Sequence, residues 1–389
     1  MTTSSRSPHE VVLSPPAMAS AAADFVIIGM LASLYGPLLV TFSHRFNLSL
    51  PSAGVVLSVH FVGALCGVAM GWSAMRRWTG KVVLAAALVV MATGALGAAI
   101  ATSWTEFLVA IFVIGLGFGV LDFTLNSLLV RTRVHGRAQR LSLANAGYGL
   151  GAIIGPVLII LARPGHFRYL FGAVAIGALL LSMGTRGVRA PPLSAQVPWK
   201  DESSSQSRRR TILVNFVVAY VLYIAAETTT AGWIAPDLHR VGYSVATGSL
   251  VTAGFWLGLS IGRVLAGPIG RFHSHRRLVI GGLASATVLC AGAYSSGAAP
   301  YLYPMIGLAI ALVYPMGLVW YTLLCPYDTN GVAIIILFMM SGGVIGPALE
   351  SVMVSTFGIH VVPLVIGGFV VLDLAVFASA LRFAPRRTT

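Results

Sequence analysis

The chain has 389 residues, 57% of them hydrophobic and 9% charged, with a formal charge of +14 and a mean hydropathy of +0.87. Soluble domains average about 45–50% apolar and about 25% charged residues, so a single soluble domain is excluded, as is a disordered chain. The length suits many membrane crossings at about 20 residues each, and the 43 glycines suit helices packed closely in a bilayer.

Residues 1–16 read as a polar tail. The apolar run that starts near Met18 is too long for the h-region of a cleaved signal peptide. Apolar runs predict helices over 20–43, 53–75, 82–103, 106–130, 141–162 and 167–185. A polar stretch with a serine run follows, and then helices over 211–236, 245–270, 277–297, 301–324, 331–357 and 360–382. The expected fold is an all-α integral membrane protein with twelve transmembrane helices in two six-helix pseudo-symmetric halves. The halves are 1–185 and 211–389, joined by a cytoplasmic linker over 186–210. Gly155-Pro156, Tyr314-Pro315 and Gly346-Pro347 fall inside predicted spans, where neighbouring helices re-satisfy freed backbone groups.

Basic residues set the orientation. With both termini inside, 20 of the 25 Lys and Arg lie in inside segments, with clusters at Arg76–Lys81, Arg131–Arg140 and Arg208–Arg210. Arg45, Arg163, Arg168 and Arg240 lie outside, and Arg263 lies within a span. The expected location is the plasma (inner) membrane, multi-pass, with both termini cytoplasmic. The positive charge then belongs beside anionic headgroups, and no nucleic-acid partner is expected. Cys66, Cys290 and Cys325 sit in apolar runs without a CxxC pair, so neither a metal nor a cofactor is expected.

The halves echo each other. GWSAMRRWTGK (71–81) follows span two and GPIGRFHSHRR (267–277) follows span eight. GLGAIIGP (149–156) lies in span five and GGVIGP (342–347) in span eleven. Paired six-helix halves with matching loops point to a secondary transporter that binds its solute near mid-membrane.

Acids inside spans narrow the site, because an ionised carboxylate at a helix centre costs about 2.5–3.5 kcal/mol on insertion scales. Asp122 and Asn126 are four apart on a face shared with Gly115 and Gly119, a small-sided polar face that suits a cavity wall. Tyr220, Tyr223, Glu227 and Thr230 fall on one face of span seven. Aromatic and hydroxyl groups beside an acid suit a polyhydroxylated solute. Asp122 or Glu227 either accepts a coupled proton or hydrogen-bonds to a neighbouring helix. Asn145 and Tyr148, three apart on span five, either face the same cavity or join helices. Trp256 and Arg263 share a face of span eight, with Arg263 either a gate or a snorkelling cation. Asp373 on span twelve reads as structural or lipid-interface related, and Glu350, after Gly346-Pro347, is left without a role.

The architecture and the loop at 71–81 resemble the major facilitator superfamily and its G-x-x-x-D-R-x-G-R-K loop, with Met75 at the acidic position. GLGFGVLDFTLNSLLV (115–130) and RLSLANAGYGLGAIIGP (140–156) resemble the fucose-permease branch of sugar:proton symporters. So do YIAAETTTAGWIAPDL (223–238) and GFWLGLSIGR (254–263). The resemblance implies a cavity lined by helices one, four, seven and ten. Here these supply Tyr35, Asp122, Asn126, Tyr220, Tyr223, Glu227, Tyr314 and Tyr321. It also implies that Asp122 is the coupling acid, although SLYGPLL (33–39) on helix one lacks the acid that branch carries there.

The function expected is alternating-access transport of a small polar organic solute, a sugar or sugar-like molecule, with proton coupling. Partners would be the solute, protons and membrane lipids, and a monomer would suffice. Gly147-x3-Gly151-x3-Gly155-Pro156 is similar to the helix-five motif of drug antiporters, which keeps a drug or metabolite exporter as an alternative. A non-transporting sensor with the same fold is a third reading. An enzyme is not expected, since HExxH, GxSxG and Walker motifs do not occur.

Overall fold

A computed structural model describes residues 12–13, 15–131, 137–192, 206–295, 297–326 and 328–383. Thirteen α-helices account for most of these: α1 (Pro15–Phe46), α2 (Leu50–Arg77), α3 (Gly80–Ile100), α4 (Trp104–Arg131), α5 (Arg137–Ala162), α6 (Phe167–Gly184), α7 (Gln206–Arg240), α8 (Val245–Phe272), α9 (His275–Ala293), α10 (Ala299–Ile310), α11 (Val313–Leu324), α12 (Thr329–Phe357) and α13 (Val362–Ala380). Two-residue strands, β1 (Val12–Leu13) and β2 (Val188–Arg189), pair antiparallel. Among the described residues, eleven helical stretches are long and apolar enough to cross a membrane, and Ala146–Ala162 within α5 is a shorter apolar helix.

The helices outrun the apolar stretches that predict them. α7 begins at Gln206, so the last residues of the expected linker form its first turns. Helical hydrogen bonding continues where water can solvate the polar side chains, and hydropathy alone does not see those turns.

The tenth span differs in kind. It is broken between α10 and α11 at Ala311 and Leu312. Pro315 explains the break. It has no N–H for the Ala311 carbonyl and its ring crowds that oxygen. At the same place the helix tightens, the Ala311 N–H reaching back only three residues, to Leu308 O at 3.4 Å.

The chain packs as two compact bodies. The first comprises the described parts of Met1–Ala32, Val59–Ala152 and Gly165–Trp199. Its helices approach backbone to backbone. A Cβ at Gly151 would meet Val26 O, one at Gly147 would meet Ala22 O, and one at Gly29 would meet the Tyr148 backbone. Glycine removes the spacer side chain between α1 and α5. His60 packs edge-on between Phe61 and Phe118 in this body's core.

The second body comprises Ser33–Ser58, Ile153–Pro164 and the described residues from α7 onward. The far end of α1 and the start of α2 therefore pack with α7 and α12. A Cβ at Gly36 would meet Ala231 O, and one at Gly54 would meet Ser351 Oγ and the Trp233 ring. Ser58 Oγ donates to Val344 O at 3.1 Å.

Candidate functional site

In the second body, three helices bring their polar side chains to one point. Tyr223 and Glu227 are one turn apart on α7, and the Tyr223 hydroxyl donates to Glu227 Oε2 at 2.5 Å. From α8, Arg263 Nη2 donates to the same oxygen at 2.6 Å and to the Tyr223 hydroxyl at 2.9 Å. Its guanidinium carbon lies 5.6 Å from the centroid of Tyr314 on α11, within cation–π range. Tyr220 stands edge-on to Tyr314, with centroids 5.9 Å apart, and donates its hydroxyl to the Tyr314 carbonyl at 2.7 Å. That carbonyl lies just beyond the helix break. Glu227, Tyr220 and Tyr223 are buried, whereas Arg263 and Tyr314 are half-buried.

Glu227 is thus the anion of an ion pair, with Arg263 and a tyrosine hydroxyl on a single oxygen. Such a pair satisfies two charges that would each be costly alone in the bilayer. The surrounding rings offer apolar faces, and the guanidinium offers donors to hydroxyl oxygens.

In the first body, α4 carries Asp122 and Asn126, both half-buried. Asn126 Nδ2 donates to Asp122 Oδ1 at 3.0 Å and to the Asp122 carbonyl at 2.9 Å. Gly115 and Gly119 do not line a cavity wall. A Cβ at either would meet α2 backbone, at His60 O and Ala64 O respectively. Their smallness serves helix packing, which corrects the sequence reading of that face.

The remaining expected residues scatter. Tyr35 is fully buried in α1. Tyr148 is half-buried on α5, its backbone against Gly29. Trp256 is buried in α8, edge-on to Phe255. The side chain of Asn145 lies outside the described residues. Tyr321 serves a different group. Its hydroxyl donates to Asp328 Oδ2 at 2.6 Å, and Arg209 grips the same carboxylate through two bonds of 2.9 and 2.7 Å. The Gly331 N–H caps Asp328 Oδ1 at 2.8 Å, making Asp328 the N-cap of α12. Burial pushes the Asp328 carboxyl up, but the Arg209, Tyr321 and Gly331 hydrogen bonds outweigh it and hold the group below the usual range.

Sequence reasoning passed over three further acids. Asp24 on α1 is 1% exposed, beside a small cavity lined by Ser20, Leu84, Leu125 and Thr185. Asp237, near the end of α7, accepts from the Tyr303 hydroxyl at 2.8 Å and pairs with Arg240 at 3.3 Å. Asp328 is the third. A search of each apolar run for lone acids would have found Asp24 and Asp237.

The family model for the Major Facilitator Superfamily matches residues 25–234, more than half of the chain. The chain belongs to this superfamily. Among curated relatives, the glucose/mannose transporter GlcP of Bacillus subtilis is 25% identical over 314 residues, covering 76% of this chain and 77% of that protein. Among solved structures, a D-xylose-proton symporter superposes with a TM-score of 0.76 at 16% identity, covering 93% of this chain and 96% of the other. The transporter FucP, solved in an outward conformation, superposes with a TM-score of 0.65 at 21% identity, covering 95% and 99%. These structural likenesses establish the superfamily fold. The protein is accordingly a multi-pass membrane transporter of the Major Facilitator Superfamily and not an enzyme.

Proposed function

We propose that the protein is a secondary active transporter for a small polar organic solute, with a sugar as the first candidate. It works by proton-coupled alternating access, with Asp122 as the proton acceptor. Support for Asp122 comes from a contrast in partners. Glu227 is engaged by Arg263 and Tyr223. The hydrogen-bond partner of the Asp122 carboxylate among the described residues is Asn126, a neutral amide on its own helix. A carboxylate without a cationic partner changes protonation state without breaking an ion pair. The Tyr220, Tyr223, Tyr314 and Arg263 cluster forms the solute site in this reading, with Glu227 holding the guanidinium in place. Asn126, Tyr35, Tyr148 and Trp256 are secondary candidates.

The names of GlcP and of the D-xylose-proton symporter support a sugar and a proton. Charge asymmetry supports cytoplasmic termini, and the echoed motifs on either side of the polar linker support six-helix halves at 1–185 and 211–389 in a plasma-membrane protein. Proteoliposome uptake of radiolabelled glucose, mannose and xylose, with and without an inward pH gradient, tests the proposal. Accumulation of at least one sugar that follows the gradient is expected. Absence of both uptake and counterflow for all three would remove the sugar assignment.

A further inference from the structure

Glu350 on α12 is 0% exposed, and neither carboxylate oxygen has a hydrogen-bond partner among the described residues. Its surroundings are nonetheless polar. Asp237 on α7 and Tyr303 on α10, 2% and 0% exposed, lie within electrostatic reach of it. Asp237 is itself well satisfied. Tyr303 donates to Oδ2 at 2.8 Å, and Arg240, at the exposed end of α7, reaches Oδ1 at 3.3 Å. Cys290 on α9 is a further titratable group beside Tyr303.

Helices α7, α10 and α12 thus supply two buried carboxyl groups, a hydroxyl and one cation. The cation, the hydroxyl and both of their hydrogen bonds go to Asp237. Two ionised carboxylates buried near each other repel, and one of them then keeps a proton. The carboxylate with partners is the better anion. The one whose oxygens have none is cheaper to bury as a neutral acid.

We propose that Glu350 is a second proton-binding site, holding a proton against an ionised Asp237 in a pair closed by Tyr303 and Arg240. The site lies in the second body, whereas Asp122 is in the first. It also lies near the seat of α2. Ser351 and Trp233 are the side chains that a Cβ at Gly54 would strike, and Trp233 is one turn before Asp237 on α7. Proton release from Glu350 would place two like charges beside that seat. The role in coupling rests on the proton-coupled reading above, but the bound proton does not.

The chain has only five glutamates, at 10, 106, 202, 227 and 350, so isotope editing isolates the group. Purified protein with 13C-labelled glutamate is examined by infrared spectroscopy at neutral pH and then titrated to alkaline pH. A protonated glutamate carboxyl stretch is expected at neutral pH, lost on alkaline titration. It should be absent in Glu350→Gln and retained in Glu227→Gln. No protonated glutamate signal in the wild-type protein overturns the proposal whether or not any variant folds. So does a signal that survives Glu350→Gln or vanishes in Glu227→Gln. Aspartates are silent in this label, so failure of the Asp122 assignment cannot mimic either result.

Discussion

Arg263 Nη2 lies 2.6 Å from Glu227 Oε2, linking α8 to α7 by a charge pair whose carboxylate side is buried and whose cation is 27% exposed. The same guanidinium touches the Tyr223 hydroxyl and faces the Tyr314 ring, so one side chain organises all three helices of the aromatic cluster.

Arg263→Met removes the cation and leaves Glu227 as an uncompensated buried charge, a cost of about 3 kcal/mol. A large drop in thermal stability is expected. Arg263→Met with Glu227→Gln should recover most of it, while solute binding stays lost because the donors to solute hydroxyls are gone. Full binding in the double variant would remove Arg263 from the solute site.

Asp122→Asn mimics a protonated carboxyl at nearly constant size. Uphill uptake driven by a pH gradient should fail, while counterflow without a gradient persists. Uphill uptake at wild-type rates would transfer the coupling role elsewhere.

Asp328 carries a pH dependence with a definite sign. Its carboxyl titrates lower in the folded protein than in the unfolded chain, where it sits near the ordinary value of about 3.9. The contribution to stability is therefore complete above about pH 4 and is lost as pH falls through the lower folded value. Asp328→Asn should cost about 2 kcal/mol and flatten the acid limb of the melting-temperature profile. An unchanged acid limb in the variant would contradict this.

Gly151→Leu should separate α1 from α5, because even a Cβ there meets Val26 O. Overpacking of this kind costs about 1–3 kcal/mol. A lower melting temperature and lower yield are expected, with Gly165→Leu, where a Cβ meets nothing, as the neutral control.

Orientation is checked with single cysteines in a background where Cys66, Cys290 and Cys325 are replaced. Ser207→Cys should resist a membrane-impermeant reagent applied to intact cells, and Ser49→Cys should react. The reverse pattern would invert the topology.

Local periodicity explains what the sequence made legible. Tyr220, Tyr223 and Glu227 share a face because of the 100° step along one helix, and no tertiary knowledge is needed to see it. Arg263 as the partner of Glu227 was not legible, since which face of α8 meets α7 is decided by packing. Gly115 and Gly119 misled for the same reason: small residues suit a cavity wall and a close helix contact equally, and the neighbour α2 decides. Tyr321 is seven residues from Tyr314, about two turns or about 10 Å along the axis. That carries it away from the cluster to Asp328. Pro315 was visible, but prolines at 37, 156, 236, 268, 304 and 347 lie inside continuous helices. The sequence alone does not single out the one that breaks its span.

That break separates two kinds of work within one crossing. α10 is anchored through Tyr303 to Asp237, and α11 presents Tyr314 to Arg263. The regular helix lapses at Ala311 and Leu312, so the tilt of α11 is tied less tightly to that of α10 than along an unbroken helix. Substitutions that reshape the aromatic face for a different solute can then accumulate on α11 without disturbing the acid held at the other end, which makes the two segments separately evolvable.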